Sequence, residues 1–386
     1  MSREIVIIIS LFIMNTSLSQ RTASALLDDA RSLGETPALL GFDGFIDSIL
    51  HVVDQRQSAN EYTRVRTLLD YGNRISNAAG KSTNVELVLQ AIKLGGNGPI
   101  MANAMCALGV PVTYCGMVGF PHVQPVFSEL EKRARVLSFC DAALTDAIEF
   151  DDGKLIVGKH ANVTEANYDT ILERIGEMNW HSAWGNARFV AMVNWTMLPH
   201  MTEIWRRIMQ QNDYASGERK TLFFDLADPE KRTDDDIREA LETISHFAKD
   251  HDVILGLNEK EGEHVARVLD LQLPTENESH EQQMMDTASA IRARLQVQVC
   301  IVHPTQFAAG ADCNGAAVVH GPFTTKPKIS TGAGDHFNSG FCVGHLLGLG
   351  LEGALQTGVG VSGFYVRTAV SPSRRELAEF LTSLDD

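Results

Sequence analysis

Six short apolar runs, separated by helical patterns, constrain this chain more than any other feature. They are A-L-L-G-F (38–42), V-T-Y-C-G-M-V (112–118), R-F-V-A-M-V (188–193), T-L-F-F-D (221–225), V-I-L-G-L (253–257) and V-C-I-V (299–302). A strand covered on both faces has no polar side, so it reads as an unbroken apolar run instead of an alternating one. Between the runs, the 3.6-residue period predicts helices near 102–108, 204–211, 233–250, 262–270 and 280–294. Strand and helix in alternation give a mostly parallel sheet clothed by helices, with ligands gathering at the carboxyl ends of the strands.

A different texture interrupts this order. In A-I-E-F-D-D-G-K-L-I-V-G-K (147–159), two alternating runs flank D-D-G-K, a hairpin signal in which Gly153 is expected to supply an unusual turn angle. Together with F-I-D-S-I-L-H-V-V (45–53), it predicts a small β layer outside the main sheet, contributed by about 44–60 and 140–165. A lid over a substrate and a solvated surface hairpin both fit that pattern.

The 386 residues show no internal repeat or low-complexity linker, so one domain is expected over 26–386. Residues 1–25 read as an extension or a signal-like segment, because M-S-R-E precedes the apolar I-V-I-I-I-S-L-F-I-M. That apolar stretch is too short to span a bilayer as a helix, and no membrane association is expected. With 49 acidic against 33 basic residues, the net charge is −16, and no basic run is present to neutralise a nucleic-acid backbone. The six cysteines have neither zinc-site nor disulfide-framework spacing, which points to reduced thiols and a cytoplasmic protein.

The stretch I-S-T-G-A-G-D-H-F-N-S-G-F (329–341) carries the chemistry. Gly332 and Gly334 flank Ala333, Asp335 follows at once, and a helix opens. Amides in such a turn, together with the unpaired donors of a helix start, form a socket for an anion. A carboxylate at its mouth would repel a resting phosphate. It suits a phosphoryl group in transit, with Asp335 accepting the proton of an attacking hydroxyl. Locally, a strand-to-helix turn with a first-turn acid fits equally well. Behind it, Gly340, Gly344 and Gly348, then Ala354, Gly358 and Ser362, recur every four residues and predict two closely packed helices.

A second glycine-rich stretch, A-A-G-K-S-T (78–83), is not a P-loop. Ile75 stands where the first glycine belongs, and the stretch lies between helical patterns, so Lys81 reads as a surface lysine. Four other stretches carry polar groups suited to ligands: G-F-D-G-F-I-D (41–47), K-L-G-G-N-G-P (93–99), D-L-A-D-P-E-K-R (225–232) and N-E-K-E (258–261). Asp43 and Asp47 can accept hydrogen bonds from a polyol, and Gly95, Gly96 and Asn97 allow close approach to hydroxyls. Asn258 and Glu261 stand one turn apart, placed to orient water around Mg²⁺.

In this order, these stretches resemble the PfkB family of carbohydrate kinases, the ribokinase-like group, over roughly residues 36 to 375. The sharpest match is S-T-G-A-G-D to the family's D-T-x-G-A-G-D signature, although the opening aspartate is missing from I-S-T-G-A-G-D. The resemblance implies a Rossmann-like three-layer α/β/α sandwich with a mostly parallel central sheet and a small β lid. It also implies Asp335 as catalytic base, Gly332, Ala333 and Gly334 as anion hole, and Asn258 and Glu261 acting on Mg²⁺ mostly through water. Asp43, Asp47, Gly95, Gly96 and Asn97 would then face the substrate, with Thr331, His303 and Asn338 on the nucleotide side. ATP and Mg²⁺ are the implied cofactors, a monovalent cation at the signature loop and a homodimer through the lid further expectations.

The expected activity is ATP-dependent phosphoryl transfer to a hydroxyl of a sugar or sugar-like molecule. A nucleoside kinase of the same fold is one rival, with Phe42, Phe45, Phe120 or Phe127 stacking on a base. A noncatalytic sugar or nucleotide sensor is the other.

Overall fold

The computed structural model describes residues 17–28, 33–211, 217–272 and 278–384; the signal-like run at 5–14 lies outside the described residues. In chain order the strands are β1 (Ala38–Phe42), β2 (Phe45–Arg56), β3 (Tyr62–Arg64), β4 (Leu87–Gly95) and β5 (Val112–Gly116). Next come β6 (Arg135–Ser138), β7 (Ala143–Glu149), β8 (Lys154–Lys159), β9 (Phe189–Met192) and β10 (Thr221–Asp225). The last four are β11 (Asp252–Asn258), β12 (Val299–His303), β13 (Phe307–Asp312) and β14 (Gly315–His320). All six predicted apolar runs form strands of one nine-stranded sheet, in the order β14-β13-β12-β11-β10-β9-β1-β5-β6. From β12 to β6 every pairing is parallel, and only β13 and β14 run antiparallel at one edge.

Alternate residues of each run enter opposite layers. Leu222 and Phe224 of β10 face one, whereas Phe223 faces the other, joined there by Ile254 and Ile301. The first layer contains the helices Met201–Met209, Asp234–Phe247 and Glu259–Val268, and it holds all four tryptophans, each at most 1% exposed. The second is built on Asn97–Ala107, Ala333–Leu346 and Gly350–Thr368. Leu18–Asp28 also packs here through Ala23 and Leu26, so a helix runs through the boundary set at residue 25 in the sequence reading. The result is the expected three-layer α/β/α sandwich.

The lid is larger than its sequence suggests. Strands β3, β2, β7 and β8 form a sheet in that order, with β4 also paired to β2. The segment after A-A-G-K-S-T, read as helical, is therefore β4, while Lys81 is exposed as expected. The β7–β8 hairpin forms at the predicted place, but Gly153 does not take a positive φ. A Cβ there would lie 2.7 Å from Leu68 Cδ1, the end of a flexible side chain that can turn aside. Likewise Gly348 leaves the small-residue stripe and makes the turn between two helices, with φ +69°.

Gly340 and Gly344 are true contact glycines. A Cβ on Gly340 would come within 2.6 Å of the Thr357 carbonyl oxygen, and one on Gly344 within 2.7 Å of Ala354 Cα. This contact holds helix Ala333–Leu346, which carries Asp335, against helix Gly350–Thr368. Gly344→Val is expected to cost about 1–3 kcal/mol through overpacking. Urea denaturation followed by far-ultraviolet circular dichroism checks this; an unchanged midpoint would show that the helices have room to spare.

Candidate active site

The site lies at the carboxyl edge of the parallel strands. Asp43 follows β1, Asn194 follows β9, and Asp225 ends β10; Asn258 and His303 end β11 and β12 as register partners. Opposite them stands the N-terminus of helix Ala333–Leu346, whose first-turn amides have no intrahelical acceptor. Gly332 caps this helix in the left-handed region, at φ +85°, where a side chain would be strained. In this state the Ala333 amide donates to the Ser330 carbonyl at 3.1 Å.

Asp335 is 8% exposed, and its Oδ1 accepts a hydrogen bond from Asn97 Nδ2 at 2.9 Å. Burial raises its pKa to about 8; the Asn97 bond opposes the shift, and the Asp43 and Glu261 charges add to it. Asp335 therefore sits in the range where a carboxylate becomes an effective base near neutral pH.

The two aspartates of G-F-D-G-F-I-D have different surroundings. Asp43 is fully buried and accepts from the Asn97 amide at 2.9 Å, the Gly98 amide at 2.8 Å and Asn194 Nδ2 at 2.6 Å. It anchors the start of helix Asn97–Ala107 beneath the cleft and is not on the cleft wall. Asp47 does line the cleft, beside Thr145 and Lys93. Burial raises its pKa, and the Thr145 hydrogen bond opposes this. A Cβ on Gly95 would lie 2.5 Å from Asp47 Oδ2, so that glycine admits the carboxylate, while Gly96 and Asn97 face the cleft itself.

Two cavities meet at the turn. The larger, about 1260 Å³, lies between the lid and the sheet edge, lined by Asp47, Gly96, Asn97, Asn194, Thr331 and His336 among others. The smaller, about 430 Å³, lies on the other side of residues 330–334, where Asn258, His303, Phe307, Phe323 and Val359 form much of its wall. His303 packs on Phe337 with ring centroids 4.5 Å apart, and burial lowers its pKa to about 4, so it offers a neutral ring to a ligand. Thr331 thus falls on the lid side of the turn. Asn338 lies behind it, 1% exposed, donating to Asp225 Oδ2 at 2.7 Å.

Two cavities thus meet at a glycine turn that leads into a buried carboxylate. The sequence profile of the prokaryotic ketohexokinase family matches residues 19–384. The chain belongs to that family. It is similar to a ketohexokinase of Haloferax volcanii, 29% identical over 351 residues that cover 90% of this chain and 91% of the other. Among solved structures it is similar to the fructokinase of Xylella fastidiosa with bound ATP, at a TM-score of 0.61 and 13% identity, covering 90% of this chain and 99% of that one. The ribokinase of Arabidopsis thaliana complexed with ribose and ATP gives 0.60 and 16%, covering 90% and 98%. These two share the ribokinase-like fold. The protein is an ATP-dependent sugar kinase, as the resemblance to the PfkB carbohydrate kinases implied.

The kinase uses N-E-K-E locally as a capping box. Asn258 Oδ1 accepts from the Glu261 amide, and Glu261 returns Oε2 to the Asn258 amide at 2.8 Å and Oε1 to the Asp228 amide at 2.8 Å. Each carboxylate oxygen keeps further acceptor capacity. Sequence reasoning assigned no role to Asp225, whose Oδ1 is buried without a hydrogen-bond partner. Burial, with the Glu261 and Asp335 charges, holds its carboxyl well above the usual range. Its only sequence signal is an acid ending an apolar strand. Asn194 was also missed: it takes φ +61°, as Ala227 and Asp228 take +57°, and all three line the large cleft. Strained backbone of this kind gathers at functional sites. Of the four phenylalanines considered for base stacking, Phe42 and Phe127 are core residues, Phe45 is buried at the cleft wall, and Phe120 lies under the Arg174 guanidinium.

Asp43→Ala and Asp47→Ala should therefore differ in kind. The first strands two backbone amides and the Asn194 side-chain amide and is expected to lower stability by about 3 kcal/mol or more, at about 1–3 kcal/mol for each donor left without its acceptor. The second should leave the melting temperature within a few degrees yet raise the KM for sugar roughly tenfold to a hundredfold. Melting curves and sugar titrations on both variants check this; equal effects would merge the two roles.

Proposed function

We propose that this kinase phosphorylates a ketohexose, with Asp335 as base. The observation that carries the chemistry is the position of Asp335: buried, held by Asn97 of the larger cavity's wall, and flanked in the chain by Gly334, which lines the smaller cavity, and His336, which lines the larger. The ketohexose reading rests on the family and on the name of the Haloferax volcanii relative. ATP supplies the phosphoryl group, and Mg²⁺ neutralises its charge. Asp335 takes the proton of the acceptor hydroxyl at its carboxylate, and Asn97 Nδ2 keeps that carboxylate turned toward the cleft. The Gly332 and Gly334 amides, joined by that of Ala333 once it leaves the Ser330 carbonyl, face the oxygens that gain charge during transfer. Asp47, Gly96 and Asn97 orient the sugar.

Mg²⁺ suits the acid group here. Among the described residues no set of three His, Cys, Asp or Glu side chains could hold a metal unaided. A hard ion that keeps its waters and binds phosphates needs only one or two carboxylates. Glu261 and Asn258 would hold its waters, and the unpartnered Asp225 Oδ1 offers a further acceptor. A monovalent cation by the signature turn would rely on backbone carbonyls, because Ile329 stands where the signature has aspartate. A homodimer through the lid is supported by the exposed Leu89, Ile92 and Leu144. All six cysteines are free and no described helix is long and apolar enough to cross a membrane; with the need for ATP, this favours the cytoplasm.

Asp335→Asn should lower kcat by at least about a thousandfold while ADP affinity stays within a few-fold, as an interaction used in the transition state requires. In the unmodified enzyme kcat/KM for fructose should rise with pH toward a plateau above about 8, as Asp335 loses its proton. Linkage has the opposite sign. The folded protein retains a proton that the unfolded chain releases near 3.8, so this group's contribution to stability falls as pH rises from there to about 8. Asp335→Asn removes that loss, and its melting temperature should gain on the parent toward alkaline pH. Fructose turnover, ADP titration and melting scans check these points; full activity in Asp335→Asn would exclude it as base.

Glu261→Gln should raise the Mg²⁺ concentration for half-maximal rate by about 10- to 100-fold, the usual effect of losing a ligand-orienting partner. An unchanged Mg²⁺ titration would remove Glu261 from the metal's surroundings.

A further inference from the structure

His336 immediately follows the base, yet the mechanism above gives it no part. It is 2% exposed, and its Nδ1 lies 2.7 Å from the Gly332 carbonyl oxygen, while Nε2 lies 2.8 Å from Ser371 Oγ. A carbonyl oxygen can only accept, so Nδ1 carries the proton and Nε2 accepts from the Ser371 hydroxyl. Burial lowers the ring's pKa to about 4, which keeps this neutral form through the physiological range. The imidazole stacks on Tyr365, with centroids 3.5 Å apart and planes 10° from parallel. Tyr365 in turn donates its hydroxyl to the Thr331 carbonyl at 3.1 Å.

Two stacked rings thus hold two consecutive carbonyls, those of Thr331 and Gly332. In a planar trans peptide the carbonyl and the following amide point in opposite directions, so fixing one fixes the other. The Thr331 carbonyl sets the Gly332 amide, and the Gly332 carbonyl sets the Ala333 amide. We propose that His336 and Tyr365, locked by Ser371, are positioning residues that aim the amides of the phosphoryl-binding turn. Gly332, flexible by residue type and left-handed in φ, is where such a clamp is needed. The inference rests on the turn being the phosphoryl site.

Kinetics of the full-length protein with fructose and ATP test it. His336→Ala and His336→Gln should lower kcat about 10- to 100-fold, the scale of a misplaced catalytic group, with both KM values within threefold. His336→Asn should recover most of that loss, because its amide nitrogen takes the place of Nδ1, whereas glutamine reaches the Nε2 position instead. Tyr365→Phe keeps the stack, loses the bond to Thr331 and should lower kcat by a smaller factor. Affinity for ADP with aluminium fluoride, a mimic of the phosphoryl group in transit, should fall in step with kcat while affinity for ADP alone does not move. A raised sugar KM at constant kcat would make His336 a wall of the sugar cleft and overturn the proposal. Equal loss in the asparagine and glutamine variants would reduce it to packing and overturn it as well. Full activity in Asp335→Asn would instead undo the underlying assignment, whereas an inactive Asp335→Asn beside a fully active His336→Ala would undo this inference alone.

Discussion

The buried carboxylate of Asp43 is the interaction on which the rest of the site depends. It joins the end of β1 to the first amides of helix Asn97–Ala107 and to Asn194 beyond β9, tying two neighbouring strand ends to the start of a helix. Asn97 is fixed by this bond through its backbone and holds Asp335 through its side chain. The order of dependence therefore runs from Asp43 to Asn97 to Asp335. Holding an acid so deeply has a cost: burial raises the Asp43 pKa to about 6, with the three donors opposing the shift. Its stabilising contribution is largest when the amides face a full negative charge.

The electrostatics of the site have a clear direction. Asp225, Glu261 and Asp335 are all buried, and each has its pKa raised, with desolvation the leading cause. Such a group favours protons when empty and favours a cation when one arrives. The Asn258 amide of the capping box and the Asp228 amide outside it hold the second carboxylate by one oxygen each, so it stays oriented. Two backbone devices common to many helices, a cap and a helix start, come together here because the parallel strands bring their ends to one edge.

Much of this was legible in the sequence. Unbroken apolar runs such as T-L-F-F-D marked the parallel strands, since strands buried on both faces leave no other signature. The signature turn and the asparagine–glutamate pair were visible because glycine spacing and capping chemistry are local. The strand at Leu87–Gly95 was not, since it pairs only with β2 and its polar and apolar residues also satisfy a helical period. Nor was the division of labour between Asp43 and Asp47, because nothing local distinguishes a carboxylate beneath a cleft from one on its wall. Gly153 was placed in the right turn, but the turn does not use its left-handed freedom. The role of His336 depends on Tyr365 and Ser371, partners that sequence spacing does not reveal.

The four tryptophans share one layer of the sandwich, and helices Ala333–Leu346 and Gly350–Thr368 occupy the other. Intrinsic emission consequently surveys only half of this molecule. Damage confined to the helix that begins at Ala333, or to its contact with the next, would leave the indoles in their apolar surroundings and the spectrum unchanged. A preparation could look native by fluorescence and still have lost its turn geometry, and an indole introduced on the silent side would give that half its own optical reporter.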